Sequence, residues 1–70
     1  MDDVMFTVKM LAALKEMSIE ELAKSCGIAV WHLRQVSVGN VEMTAYDLRQ
    51  LSEFTGIPAD RIQIEPKKKD

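Results

Sequence analysis

The single cysteine and the single histidine have the side chains best suited to covalent or acid–base chemistry in this 70-residue chain. A nucleophile needs a base within hydrogen-bond reach, and a metal site needs several converging ligands. Neither Cys26 nor His32 has a second histidine, a carboxylate pair or a placed base at a recognisable spacing. We therefore expect no enzymatic activity, no bound metal and no cofactor. Cys26 falls on the inward side of a predicted helix, where it is expected to be a small buried residue.

Length and composition indicate one small domain. Apolar residues make up 47% of the chain, too many for a disordered segment, and their runs are short and broken by charges such as Lys9 and Asp47. We expect no membrane span and, from Met-Asp-Asp at the start, no secretory signal. A lone cysteine fits a reducing, cytoplasmic location. The predicted domain covers residues 1–66, and residues 67–70 form a basic tail that we expect to be flexible.

Cys26 and His32 both lie in residues 18–39, where the sequence predicts two helices joined by a turn. Ser18 and Glu21 form an S-x-x-E capping box, which starts a helix over 19–25. Gly27 suits the left-handed position after that helix, and a further helix is predicted over 29–37. The expected inward residues are Leu22, Cys26, Ile28, Leu33 and Val36. This layout is typical of a helix-turn-helix, which places its second helix in the DNA major groove.

The spacing of apolar residues in the rest of the chain predicts three more helices, so we expect an all-α fold with five helices. A first helix over 3–16 is apolar nearly all round, which indicates either a protein interface or scattered surface methionines. A second box, Thr44 with Asp47, starts a helix that runs to Thr55. The residues of this helix expected to face inward are Ala45, Leu48, Leu51 and Ser52. Pro58 is placed to open a short final helix.

The stretch SIEELAKSCGI, a glycine after the next helix, and TAYDLRQLSEFTGIP resemble the Cro/C1-type helix-turn-helix domain of phage repressors. The resemblance covers about residues 8–62 and implies a compact, lambda-repressor-like domain. One departure is Ile19, where this family usually has a glutamine that touches phosphate.

The resemblance also implies which residues form the recognition surface. The outward positions of the third helix would be Ala29, Val30, Trp31, Arg34, Gln35 and Val38. Arginine can chelate guanine and glutamine can chelate adenine, whereas alanine and valine can only meet thymine methyl groups. The expected phosphate-side residues are Lys24, His32 and Asn40.

Trp31 is unusual for a DNA reader, since a bulky indole with one donor fits poorly against stacked base edges. Two placements remain open: the ring folds down as a lid on the core, or it stays exposed at the centre of a protein interface. The charge is also unusual, because a net charge of -2 is low for a protein that must neutralise phosphates.

Two functions follow from the sequence. The first is a transcription regulator, as a possible homodimer, that binds double-stranded operator DNA through its third helix. The alternative is an antirepressor or modulator that binds a basic partner, a phage repressor, through apolar surfaces on the third and first helices. Such a protein would control the switch between lysis and lysogeny with little DNA binding of its own.

Overall fold

The computed structural model describes residues 5–63, and within them the fold is all-α. Four α-helices occur in the order α1 Val8–Leu14, α2 Ile19–Cys26, α3 Val30–Ser37 and α4 Ala45–Thr55. The expected fifth helix is a short 3-10 turn, Ala59–Arg61, which follows Pro58. No strand is present in the described part of the chain, and its radius of gyration of 11.2 Å is that of a compact domain. The predicted tail, residues 67–70, lies outside the described residues.

Both predicted capping boxes are formed. The Ser18 hydroxyl accepts from the N–H of Glu21, and the Glu21 carboxylate accepts from the N–H of Ser18 at 2.9 Å. The Thr44 and Asp47 pair repeats this exchange at the start of α4, with the return bond at 3.0 Å. Each box satisfies backbone donors that a helix N-terminus otherwise leaves without partners, so the starts of α2 and α4 match the prediction.

Each helix contributes one fully enclosed leucine to the core. These are Leu11 of α1, Leu22 of α2, Leu33 of α3 and Leu51 of α4, all at 0% exposure. Ile62, directly after the 3-10 turn, completes the set. All five residues expected to face inward along the 18–39 segment are buried. Burial of each such side chain contributes about 1.5–3 kcal/mol, which makes this core the main stabilising feature.

The first helix is shorter than predicted. It begins at Val8, because Thr7 caps it by accepting from the N–H of Met10. Phe6 forms an isolated parallel bridge with Ile62: its N–H donates to the carbonyl of Arg61 at 2.7 Å, and its carbonyl accepts from the N–H of Gln63 at 2.9 Å. The helix ends at Leu14, followed by Glu16 at a positive φ of 57°. The predicted residues 3–4 lie outside the described range.

The apolar surface of α1 divides into two parts. Phe6 and Met17, which flank the helix, pack against the core. Met10 and Leu14 remain exposed on its outer side.

In α4, Ala45 was expected to face inward and is exposed, because the turn of α4 that begins at Thr44 directs Asp47 inward instead. None of the helices in the described part of the chain is long and apolar enough to cross a membrane.

Glycine is required at the ends of α2 and α4, and this requirement can be tested. Gly27 and Gly56 have φ of +72° and +79°, a region that costs a residue with a Cβ about 1–2 kcal/mol. We expect Gly27→Ala and Gly56→Ala each to lower the free energy of unfolding by about this amount. The two costs should be similar, because an added Cβ at Gly27 would be in ordinary van der Waals contact with the Tyr46 hydroxyl at 3.4 Å, and nothing lies within 4 Å at Gly56. Urea unfolding followed by circular dichroism measures both, and negligible losses would contradict the expectation.

Candidate functional site

Three residues, 27–29, join α2 to α3. Gly27 adopts the left-handed conformation that ends α2, and its neighbour Ile28 is buried. Ala29 is the extended N-cap of α3 and supplies no side-chain hydrogen bond to it. α2 packs more extensively against α3 than against any other element, with Leu22 and Leu33 fully buried. This short connection fixes which side of α3 faces the core and which faces solvent.

The predicted site residues fall into two groups. The exposed ones are Lys24, Ala29, Trp31, Arg34, Val38 and Asn40, and the half-buried ones are Val30, His32 and Gln35. We call Ala29, Trp31, Arg34 and Val38 the outer face of α3. Val30 packs against the core, and so does Ile19.

Trp31 is the most exposed large apolar side chain among the described residues. It is 65% exposed, so the lid placement over the core is wrong. Its ring meets the ring of His32 edge to face, with centroids 5.6 Å apart and an interplanar angle of 80°. Edge-to-face aromatic pairs are favourable, so His32 supports the indole from below while one side of it faces solvent.

His32 is held by a buried carboxylate rather than facing the surface freely. Its Nε2 lies 2.5 Å from Oδ2 of Asp47, and the side chains are 18% and 3% exposed. Because a carboxylate oxygen only accepts, Nε2 carries the proton and donates it. The same Asp47 oxygen accepts from the N–H of Thr44 at 3.0 Å. His32 thus connects α3 to the start of α4. This contact gives the residue a structural role, whereas the sequence predicted that it lies beside phosphate.

The two predicted base-reading side chains also have partners within the molecule. The guanidinium of Arg34 forms an ion pair with Glu20 of α2. The Gln35 side-chain carbonyl accepts a 2.8 Å hydrogen bond from the amide of Asn40. Both pairs are on the surface, so each is weak and exchangeable. DNA would therefore have to displace internal partners before either side chain could read a base.

Two residues of α4 attach to the C-terminal end of α2. The Tyr46 hydroxyl donates to the carbonyl of Gly27 at 3.0 Å, and the Gln50 amide donates to the carbonyl of Cys26 at 2.9 Å. These bonds satisfy carbonyls that the end of α2 leaves without partners. The sequence contains no local signal for them, since the pairs are 19 and 24 residues apart.

Charges near the outer face are mixed rather than basic. Lys24 and Arg34 are exposed, but Arg34 is paired with Glu20 in the first turn of α2, and Glu21 and Glu42 are further exposed acids before and after α3 in the chain. Phosphate binding depends on local positive charge, so the acids oppose it.

Cys26 is buried against the core, as expected. Desolvation by burial raises the pKa of its thiol, which keeps the sulfur protonated and unreactive at neutral pH. Within residues 5–63, no group of three or more histidine, cysteine, aspartate or glutamate side chains converges as a metal site would require.

Comparisons of the chain with protein-family models, with curated proteins and with solved structures gave no match.

The link from Asp47 to His32 can be measured against a matched residue. Asp47 and Glu21 are both third residues of a capping box, but only Asp47 also holds a histidine. We expect Glu21→Ala to cost about 0.5–1 kcal/mol and Asp47→Ala to cost about 1–3 kcal/mol more, since a buried donor then lacks its acceptor.

The excess should disappear when His32 is removed as well, which a double-mutant cycle of His32→Ala and Asp47→Ala in thermal unfolding would measure. Equal costs for Asp47→Ala and Glu21→Ala would show that the histidine contact contributes nothing.

Proposed function

We propose that this protein is a transcription regulator of the Cro/C1 helix-turn-helix type that binds double-stranded DNA through α3. The observation that carries the proposal is the outer face of α3, which presents Arg34 to solvent next to a short turn from α2. The order of helices, the left-handed glycine between them and the buried inward residues are those expected of such a domain.

In this arrangement Arg34 and Gln35 read base edges in the major groove, and Ala29 contacts thymine methyl groups. Val30 contributes less than the sequence suggested, since it packs largely against the core. Lys24 is exposed and available to phosphates, whereas the exposed Asn40 must first release Gln35, to which its amide donates. A homodimer would place two half-sites about 34 Å apart.

Within residues 5–63, Lys24 is the one cation assigned to a phosphate here, so the electrostatic share of the affinity is small. Each phosphate neutralised contributes about −0.9 to the slope of log K against log salt, so this assignment predicts a shallow dependence. Specificity would then rest on a small number of base contacts.

Removal of Arg34 tests DNA binding directly. Arg34→Ala should weaken binding to a preferred duplex, obtained by repeated selection from random sequences, by about 1–3 kcal/mol, the value of a bidentate arginine–guanine contact. Arg49→Ala is the control, because Arg49 is exposed on α4 and its loss removes the same charge. Fluorescence anisotropy at low salt measures both variants. No binding of wild-type protein at micromolar concentration, even at low salt, would exclude the proposal.

A second candidate function is supported by the exposure of Trp31. An indole that is 65% exposed beside exposed Val38 is typical of the centre of a protein interface, where tryptophan and arginine contribute most of the binding energy. The net charge of -2 would attract a basic partner, such as the DNA-binding domain of a phage repressor. The protein would then act as an antirepressor or modulator.

Truncation of Trp31 distinguishes this candidate. In calorimetric titration with the DNA-binding domain of a repressor encoded by a neighbouring gene, Trp31→Ala should cost about 2–4 kcal/mol as an interface hot spot. Leu14→Ala is the control for a contact through α3, since Leu14 is an exposed apolar residue on α1. If Trp31→Ala left partner binding unchanged, α3 would not be the interface. A loss in Leu14→Ala alone would place the contact on α1.

A further inference from the structure

The ion pair between Arg34 and Glu20 joins the middle of α3 to the first turn of α2. We infer that Glu20 sets the DNA affinity and specificity of this protein by competing with DNA for the guanidinium of Arg34. The inference rests on the proposed DNA-binding function and assigns a residue outside the recognition helix a direct effect on recognition.

The chemistry of the two groups makes them competitors. A guanidinium has five donors in a planar fork, and that fork can bind a carboxylate, a phosphate or the edge of guanine through two parallel hydrogen bonds. When Glu20 occupies the fork, fewer of its donors are free for a base. The carboxylate would also repel a phosphate that approached Arg34, because the two anions would share one site.

The burial of the pair determines the size of the effect. The Arg34 and Glu20 side chains are 54% and 50% exposed, so the pair is solvated and readily exchanged. Glu20 therefore weakens binding by a moderate factor and does not abolish it. The cost of displacing Glu20 is recovered only where Arg34 gains a good acceptor, so sequences that offer guanine at that position are favoured over those that do not.

Glu20 also has a structural role, because an acid in the first turn of a helix interacts favourably with the helix dipole. Glu21 is a matched control for this role. It lies in the same turn of α2, is exposed and carries the same charge, and glutamine at this position still completes the capping box. Glu20→Gln and Glu21→Gln therefore change the net charge and the helix dipole equally, while only Glu20→Gln releases Arg34.

The experiment measures binding of a pool of random-sequence DNA duplexes at low salt by wild-type protein and by variants at positions 20, 21 and 34. Glu20→Gln should bind about three- to tenfold more tightly than wild type, since an exposed ion pair and a like-charge repulsion are removed together. Glu21→Gln should gain about twofold or less from the change in net charge alone. In an Arg34→Ala background, the gain from Glu20→Gln should fall to that of Glu21→Gln.

Two results would overturn the inference while leaving DNA binding in place. One is an equal gain from Glu20→Gln and Glu21→Gln, which would make the effect one of net charge. The other is a full gain from Glu20→Gln in the Arg34→Ala background, which would show that Arg34 is not involved.

A second readout needs no DNA. A double-mutant cycle between positions 20 and 34 in thermal unfolding should show a coupling between the two side chains. Coupling in unfolding without DNA binding by any variant would reject the proposed function while retaining the ion pair. The absence of coupling would reject the inference whatever the DNA results.

Discussion

The packing of α2 against the other three helices is the interaction on which the rest of the structure depends. Leu22 and Ala23 are completely buried, and α2 contacts α1, α3 and α4, whereas α3 and α4 contact each other little. Ala23 has only a methyl group, which allows a neighbouring element to approach α2 closely. Since α3 is attached to the domain mainly through α2, the direction of its outer face is set by this packing.

The fourth helix supports the arrangement through polar contacts. Tyr46 and Gln50 satisfy the carbonyls at the end of α2, and Asp47 holds His32 of α3 while it caps its own helix. Of these polar side chains Asp47 is the buried one, and a buried polar group stabilises only when all its partners are present. The polar contacts from α4 help the small core to keep α2 and α3 at a fixed geometry. They also hold the His32 ring, against which Trp31 packs edge to face.

The outer face of α3 combines features of two classes of binding surface. Its polar side chains are those of a DNA reader, yet Arg34 and Gln35 are engaged by Glu20 and Asn40. The exposed indole of Trp31 is more typical of protein recognition. If α3 binds DNA as proposed, the Glu20 carboxylate beside Arg34 would make that binding moderate and dependent on a good acceptor for the guanidinium.

Local patterns in the sequence determined the elements that carry their own signals. The capping boxes at Ser18 and Thr44, the left-handed glycines and the helical spacing of the leucines predicted α2, α3, α4 and the core, because such contacts lie within a few residues of each other. The predicted start of α1 was wrong, because Phe6 pairs with Ile62 at the other end of the domain and is not helical. Only the tertiary structure decided that Trp31 is exposed and that His32 and Arg34 have partners on other helices. Those contacts join residues 14 or 15 positions apart, and no local periodicity encodes which side chains will meet across helices.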